Sequence, residues 1–233
     1  MNPRLLDQCR NYLLAHATPA PPVEPRPPLR AVTISRETGA GAVTIGELVA
    51  TTLQERRAGD LNKPWAVFDR NLVKRVLAEH KLPAAIERYM REDSADRIED
   101  LMEDLLSVHP SARMLAEHAS RTILRLANRG NVVLVGRGGN LVTAPLKHVF
   151  HVRLIAPLDL RIRHVGDYYR LDRKKAAEFV RRNDLARARY IRRHFKARIQ
   201  DPLQYHITIN TGAMDYSAAA RLIVEGVSGI RDD

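Results

Sequence analysis

Five short runs of apolar and β-branched residues recur along the chain, and helix-length segments separate them. They are LRAVTIS (29–35), WAVF (65–68), NVVLVG (131–136), HVFHVRLI (148–155) and YHITIN (205–210). Strands joined by connections this long cannot form tight hairpins, so they pair in parallel, with helices covering both faces of the sheet. The connecting segments read as helices over 43–57, from 70 to 80, 84–108, 111–128, 173–198 and 217–226. In 84–108, Ile86, Tyr89, Met90, Ile98, Leu101, Met102 and Leu105 follow a helical period opposite an acidic face. A length of 233 residues suits one sizeable core, and no internal repeat divides it.

Ahead of these runs the character changes. Residues 4–16 carry Leu5, Leu6, Cys9, Tyr12 and Leu13 at helical spacing, and TPAPPVEPRPP (18–28) has six prolines in eleven positions. The expectation is a short amphipathic helix on an extended linker over 1–28, with the α/β body over 29–233. The linker reads first as a spacer, and a protein partner for residues 1–28 is a possible further role. A single cysteine, Cys9, excludes an internal disulfide and a cysteine-built zinc site. No stretch approaches the ~18 apolar residues of a membrane span, and 1–17 lacks the apolar core of a secretory signal, so a cytoplasmic protein is expected.

The formal charge of +11 is local. Lys147–Arg198 holds sixteen Lys and Arg against five Asp and Glu, so that segment carries the whole excess. A basic surface of this kind attracts phosphate, whether on a nucleotide, a nucleic acid or a headgroup. The nine histidines show no metal-ligand spacing, and His148 and His151 fall on a strand, where a core place is the default. Tyr168–Tyr169 reads first as packing and second as a base-stacking pair.

The first strand runs directly into SRETGAGAVTIG (35–46). A strand, a glycine turn and a helix in succession aim free backbone N–H groups at an anion. Against the pattern G-x-x-x-x-G-K-[ST], Arg36 takes the first glycine position and Gly41 the second. Ala42 replaces the lysine, Val43 replaces the hydroxyl residue, and Thr44 lies one further on. Taken alone, this segment reads equally well as a tight strand-to-helix turn.

Further motifs follow in order: FDRNLVKR (68–75), VVLVGRG (132–138), FHVRLIAPLDLRIRHV (150–165), NDLARARY (183–190) and YHITINTGAMD (205–215). Together with the loop they resemble the cytidylate kinases, and more closely the cytidylate kinase-like family, whose loop also lacks the lysine. The resemblance covers about 29–228. It implies a P-loop NTPase-like, three-layer α/β/α domain with a parallel five-stranded sheet, a helical acceptor-binding insertion near 70–128 and a basic lid near 165–200.

The function so implied is transfer of the ATP γ-phosphoryl group to CMP, dCMP or a related monophosphate with Mg²⁺. Gly39, Ala40, Gly41, Ala42, Val43 and Thr44 would cradle the donor phosphates, and Thr44 and Asp69 would face the metal or its waters. Asp69, Arg75, Arg137 and Asp184 would hold the acceptor. Arg182 and Arg187, from a lid that also offers Arg189, Arg192 and Arg193, would neutralise transition-state charge, and Arg36 would stand in for the lysine. An impaired nucleotide sensor on the same fold is the alternative. A nucleic-acid binder using the basic segment ranks third, because only 5% of the residues are aromatic.

Overall fold

A computed structural model describes residues 29–56, 64–69 and 112–230, with side chains from residue 120 onward in the last stretch. The elements are β1 (Ala31–Arg36), α1 (Ala42–Arg56), β2 (Ala66–Phe68), α2 (Ala112–Arg129), β3 (Val132–Val135), α3 (Gly139–Val142), β4 (Val149–Ile155), α4 (Leu158–Tyr169), α5 (Arg173–Phe195), a 3₁₀ turn (Pro202–Gln204), β5 (Ile207–Asn210) and α6 (Tyr216–Ser228). The 1–28 extension, Arg75 and the 84–108 helix lie outside the described residues.

All five strands are parallel, in the order β2-β3-β1-β4-β5. Period-2 alternation divides the sheet into two faces. On one, Val32, Ile34, Val133, Val135, Val152 and Leu154 pack against Ile45, Val49 and Leu53 of α1 and Ile223 and Val224 of α6. On the other, Ala31, Val132, Leu134 and Val149 meet Ile123 and Ala127 of α2. Valine and isoleucine are fit for both demands here, being strand formers and fully apolar on a sheet buried from both sides.

Helix ends are set by short polar side chains. Asp172 accepts from the Lys175 amide at 2.9 Å to start α5, and Asp215 accepts from Ala218 at 2.8 Å to start α6. The α4–α5 pair is a helical hairpin with its own apolar seam of Ile162, Val165, Ala176 and Val180. This is the segment expected to be a basic lid.

Two local expectations are corrected. The run YHITIN is a strand only from Ile207, because Tyr205 turns aside to donate its hydroxyl to the Ile199 carbonyl at 2.8 Å. The basic helix ends at Phe195, where Lys196 adopts φ 56°. The short helix α3 after Gly138 had no sequence signal of its own, being a single turn. His148 and His151 are buried, as their strand position suggested. Tyr168 and Tyr169 meet edge to face, and both remain exposed.

Candidate active site

The carboxyl ends of β1, β3 and β4 converge where β1 gives way to the glycine turn. Gly39 and Gly41 have φ of +84° and +79°, the left-handed region that glycine adopts without a Cβ penalty. Space also demands them. A Cβ at Gly39 would lie 2.6 Å from the Arg161 carbonyl oxygen, and one at Gly41 would lie 2.6 Å from the Tyr216 hydroxyl. The loop therefore lies pressed between the starts of α4 and α6, and helix α1 begins at Ala42.

The loop is held by charge. Glu37 accepts the Ala156 amide at 3.1 Å and stands 3.3 Å from Arg161 Nε. Arg161, whose side chain is 9% exposed, also donates to the Ala156 carbonyl at 2.9 Å and to Asp184 Oδ2 at 2.6 Å. Asp184 Oδ1 accepts the Thr38 amide at 2.8 Å and the Thr38 hydroxyl at 2.7 Å. Arg187 completes the cluster, with Nη1 2.5 Å from Thr38 Oγ1 and 3.0 Å from Asp184. On the other side, His164 Nδ1 lies 3.0 Å from the Gly39 carbonyl and 3.2 Å from the Tyr216 hydroxyl. A carbonyl only accepts, so that ring nitrogen carries the proton. Burial pushes the Tyr216 hydroxyl above the ordinary tyrosine range, so it stays protonated at neutral pH.

The expected site residues divide clearly. Gly39, Ala40, Gly41, Ala42, Val43 and Thr44 do form the strand-to-helix turn, with Ala42 buried and Thr44 exposed on the first turn of α1. Arg36 reaches across to the turn after β3, where a Cβ on Gly136 would collide with its Nη1. Arg137 sits in that turn at φ 59°, between Gly136 at 95° and Gly138 at 65°. Its charge is felt by Tyr190 of α5, and Phe195 and Ile191 cover Gly138.

Asp69 ends β2 close enough to Glu47 of α1 to help burial raise that carboxyl's pKa. Asp184, expected to hold the acceptor, is engaged here by Thr38, Arg161 and Arg187. Of the lid arginines, Arg187 touches the loop, while Arg182, Arg189, Arg192 and Arg193 are exposed along α5. Glu37, Thr38, Arg161, His164 and Tyr216 went unassigned in the sequence. Arg161 had a usable signal, since it stands in the helical half of the FHVRLIAPLDLRIRHV motif.

The described residues hold no group of three or more His, Cys, Asp or Glu placed to bind a metal. Among them no helix is long and apolar enough to cross a membrane.

A family model for the cytidylate kinase-like family matches residues 31–213. The chain belongs to that family. The match spans β1 through the turn after β5, so it takes in the glycine loop, Arg137 and the α4–α5 hairpin.

Among solved structures, the chain is similar to an uncharacterized protein from Eubacterium ventriosum, at 18% identity and a TM-score of 0.58, covering 86% of this chain and 99% of that one. That likeness concerns the fold. A shikimate kinase from Acinetobacter baumannii aligns at 18% identity with a TM-score of 0.44, over 86% of this chain and 93% of that one. A uronate isomerase from Corynebacterium glutamicum is 32% identical over 111 residues, which is 48% of this chain and 21% of that protein. The matched stretch thus spans about a fifth of that relative's length.

Proposed function

We propose that this member of the family is a nucleoside monophosphate kinase, which moves the ATP γ-phosphoryl group to CMP, dCMP or a related monophosphate. One observation carries the reading. Arg161 and Arg187 contact Thr38 in the turn at the end of β1, and Arg36 reaches from that strand to the turn after β3 that carries Arg137. Phosphoryl transfer asks mainly for positioning and for cations around the moving group.

Arg187 takes over the charge that a loop lysine would bring, because Ala42 and Val43 supply none. Its guanidinium already rests on Thr38. Its partner Asp184 occupies the Thr38 amide, so donor phosphates would take that amide as the carboxylate gives way. Arg36 and Arg137 lie on the β3 side, at the carboxyl edge where ligands of parallel sheets bind, and grip the acceptor phosphate. Residues 29–233 act as the kinase-type unit, and 1–28 are an appendage to it.

Mg²⁺ suits the oxygen donors of the Thr44 hydroxyl and the Asp69 carboxylate, with Glu47 beside Asp69. Magnesium retains most of its waters and needs few protein ligands, so two such groups suffice. Bound there, it would screen the negative charge of the donor phosphates.

The second reading, a nucleotide sensor without turnover, is favoured by the same absent lysine. Loss of one preorganised contact costs roughly two orders of magnitude or more in rate. A coupled ADP-release assay with ATP, Mg²⁺ and each monophosphate, run beside Arg137→Ala, separates the two. Turnover with CMP or dCMP that collapses in Arg137→Ala supports the kinase. A rise in melting temperature with ATP and no turnover supports the sensor, and neither response refutes both.

A further inference from the structure

The face of the sheet that carries α2 and α3 turns polar toward its carboxyl end. Thr33 and Ser35 of β1 lie beside His151 and Arg153 of β4, in register. His151 Nδ1 lies 2.8 Å from the Thr33 hydroxyl, and its backbone amide donates to His206 Nδ1 at 2.9 Å. Arg153 has no such complement. It is 5% exposed, yet among the described residues its guanidinium makes one hydrogen bond, from Nη1 to the Ser35 hydroxyl at 3.0 Å. The Tyr205 ring lies beneath the guanidinium at 5.8 Å, and the Tyr205 hydroxyl is 3.2 Å from the same Ser35 oxygen.

A guanidinium carries five N–H donors, and an arginine this buried is ordinarily paired with a carboxylate. Taking the ion out of water is costly, and a neutral hydroxyl and an aromatic face offset that cost only in part. Arg153's remaining nitrogens are not sealed in: none is both shut off from solvent and without a partner. The frame around it fixes its direction, since Tyr205 is itself tied to the Ile199 carbonyl.

Two more groups on elements near the carboxyl edge lack partners among the described residues. Asn140 Nδ2 of α3 and the Tyr190 hydroxyl of α5 are buried and make no hydrogen bond. Helix α3 rests on Thr33 through Gly139, and Tyr190 neighbours Arg137.

We propose that Arg153, framed by Ser35 and Tyr205, is an oxyanion-binding residue separate from the glycine loop. It takes the phosphate monoester or carboxylate group of a small molecule at the carboxyl edge of β4. The two anions share the chemistry that matters, paired oxygens matching the guanidinium fork. Register places Arg153 on β4 opposite Ser35, and β3 lies on the other flank of β1. The Arg153 group and the Arg137 turn therefore belong to different strands, with β1 between them.

The test is side-chain NMR of the arginine Nε–H signals in the full chain, titrated separately with inorganic phosphate and with succinate. The expected result is a saturable shift of the Arg153 signal, with a millimolar midpoint, for one or both anions. The arm that saturates first identifies the class. The same shift should persist in Gly39→Ala, whose loop is obstructed, and should weaken several-fold in Ser35→Ala, which keeps the arginine. Arg153→Met should lose the corresponding binding by calorimetry. An Arg153 signal that stays still with both anions overturns the proposal. So does a signal that moves only when the loop amides move and is silent in Gly39→Ala, and so does a Ser35→Ala titration indistinguishable from the parent's.

Discussion

Replacing Asp184 by alanine removes four interactions at once, because its two oxygens serve the Thr38 amide, the Thr38 hydroxyl, Arg161 and Arg187 at 2.6–3.0 Å. Hydrogen bonds to a charged group contribute about 1.5–3 kcal/mol each when buried. Here water tempers them, since the Asp184 side chain is 28% exposed. Arg161 is the partner that suffers most, being nearly buried, though Glu37 remains 3.3 Å from its Nε.

Tempered by water to about a third of that strength, the four together give a destabilisation of about 2–4 kcal/mol. For a chain of this size that lowers Tm by roughly 5–15 °C. Thermal and urea unfolding of Asp184→Ala, Thr38→Val and the double variant measure it. If carboxylate and hydroxyl act together, the cycle shows a coupling of about 1 kcal/mol. An Asp184→Ala protein melting within ~2 °C of the parent would refute the reasoning. So would losses that simply add, because carboxylate and hydroxyl would then not act as one cluster.

His151 supplies a pH signature. Burial, with the neighbouring His206, holds its pKa at about 4, below the unfolded value of 6.5. The unfolded chain therefore binds the proton first, and the stability this neutral ring contributes is intact above pH ~6.5 and lost as pH falls toward 4. The full span is about 3 kcal/mol, so urea midpoints should fall across that window and should fall less in His151→Gln. Gly41→Ala should destabilise by about 2–4 kcal/mol, from the left-handed φ and the Tyr216 ring together. In a Tyr216→Ala background the steric part should vanish and Gly41→Ala should cost only the ~1 kcal/mol of backbone strain, measured against Tyr216→Ala alone in the same melts.

The sheet was legible because its strands are nearly continuous apolar runs, and the loop because glycine is forced at Gly39 and Gly41. Boundaries slipped where a side chain outside the pattern took over, as Tyr205 does in leaving its strand for the Ile199 carbonyl. The clamp on the loop was hidden for a different reason. Thr38 and Asp184 are 146 residues apart, and no local spacing connects them. Asp184 stood out as part of a motif, but which groups it would engage depends on how the α4–α5 hairpin folds back. Arg153 was masked by its setting. A single charged residue inside HVFHVRLI reads as a strand-end residue facing water, and only the two-sided burial of the sheet makes it an ion without a counterpart.

The turn after β3 joins these themes. Gly136, Arg137 and Gly138 all have positive φ, and the middle one is not glycine. An arginine kept in that region forgoes roughly 1 kcal/mol or more that glycine would not. A selection for heat resistance alone would therefore drift toward glycine at 137, and, on the proposed role of Arg137 in gripping the acceptor, a selection for turnover would drift back. The position is a point of tension between durability and use. It is a fair gauge of which pressure shaped any variant.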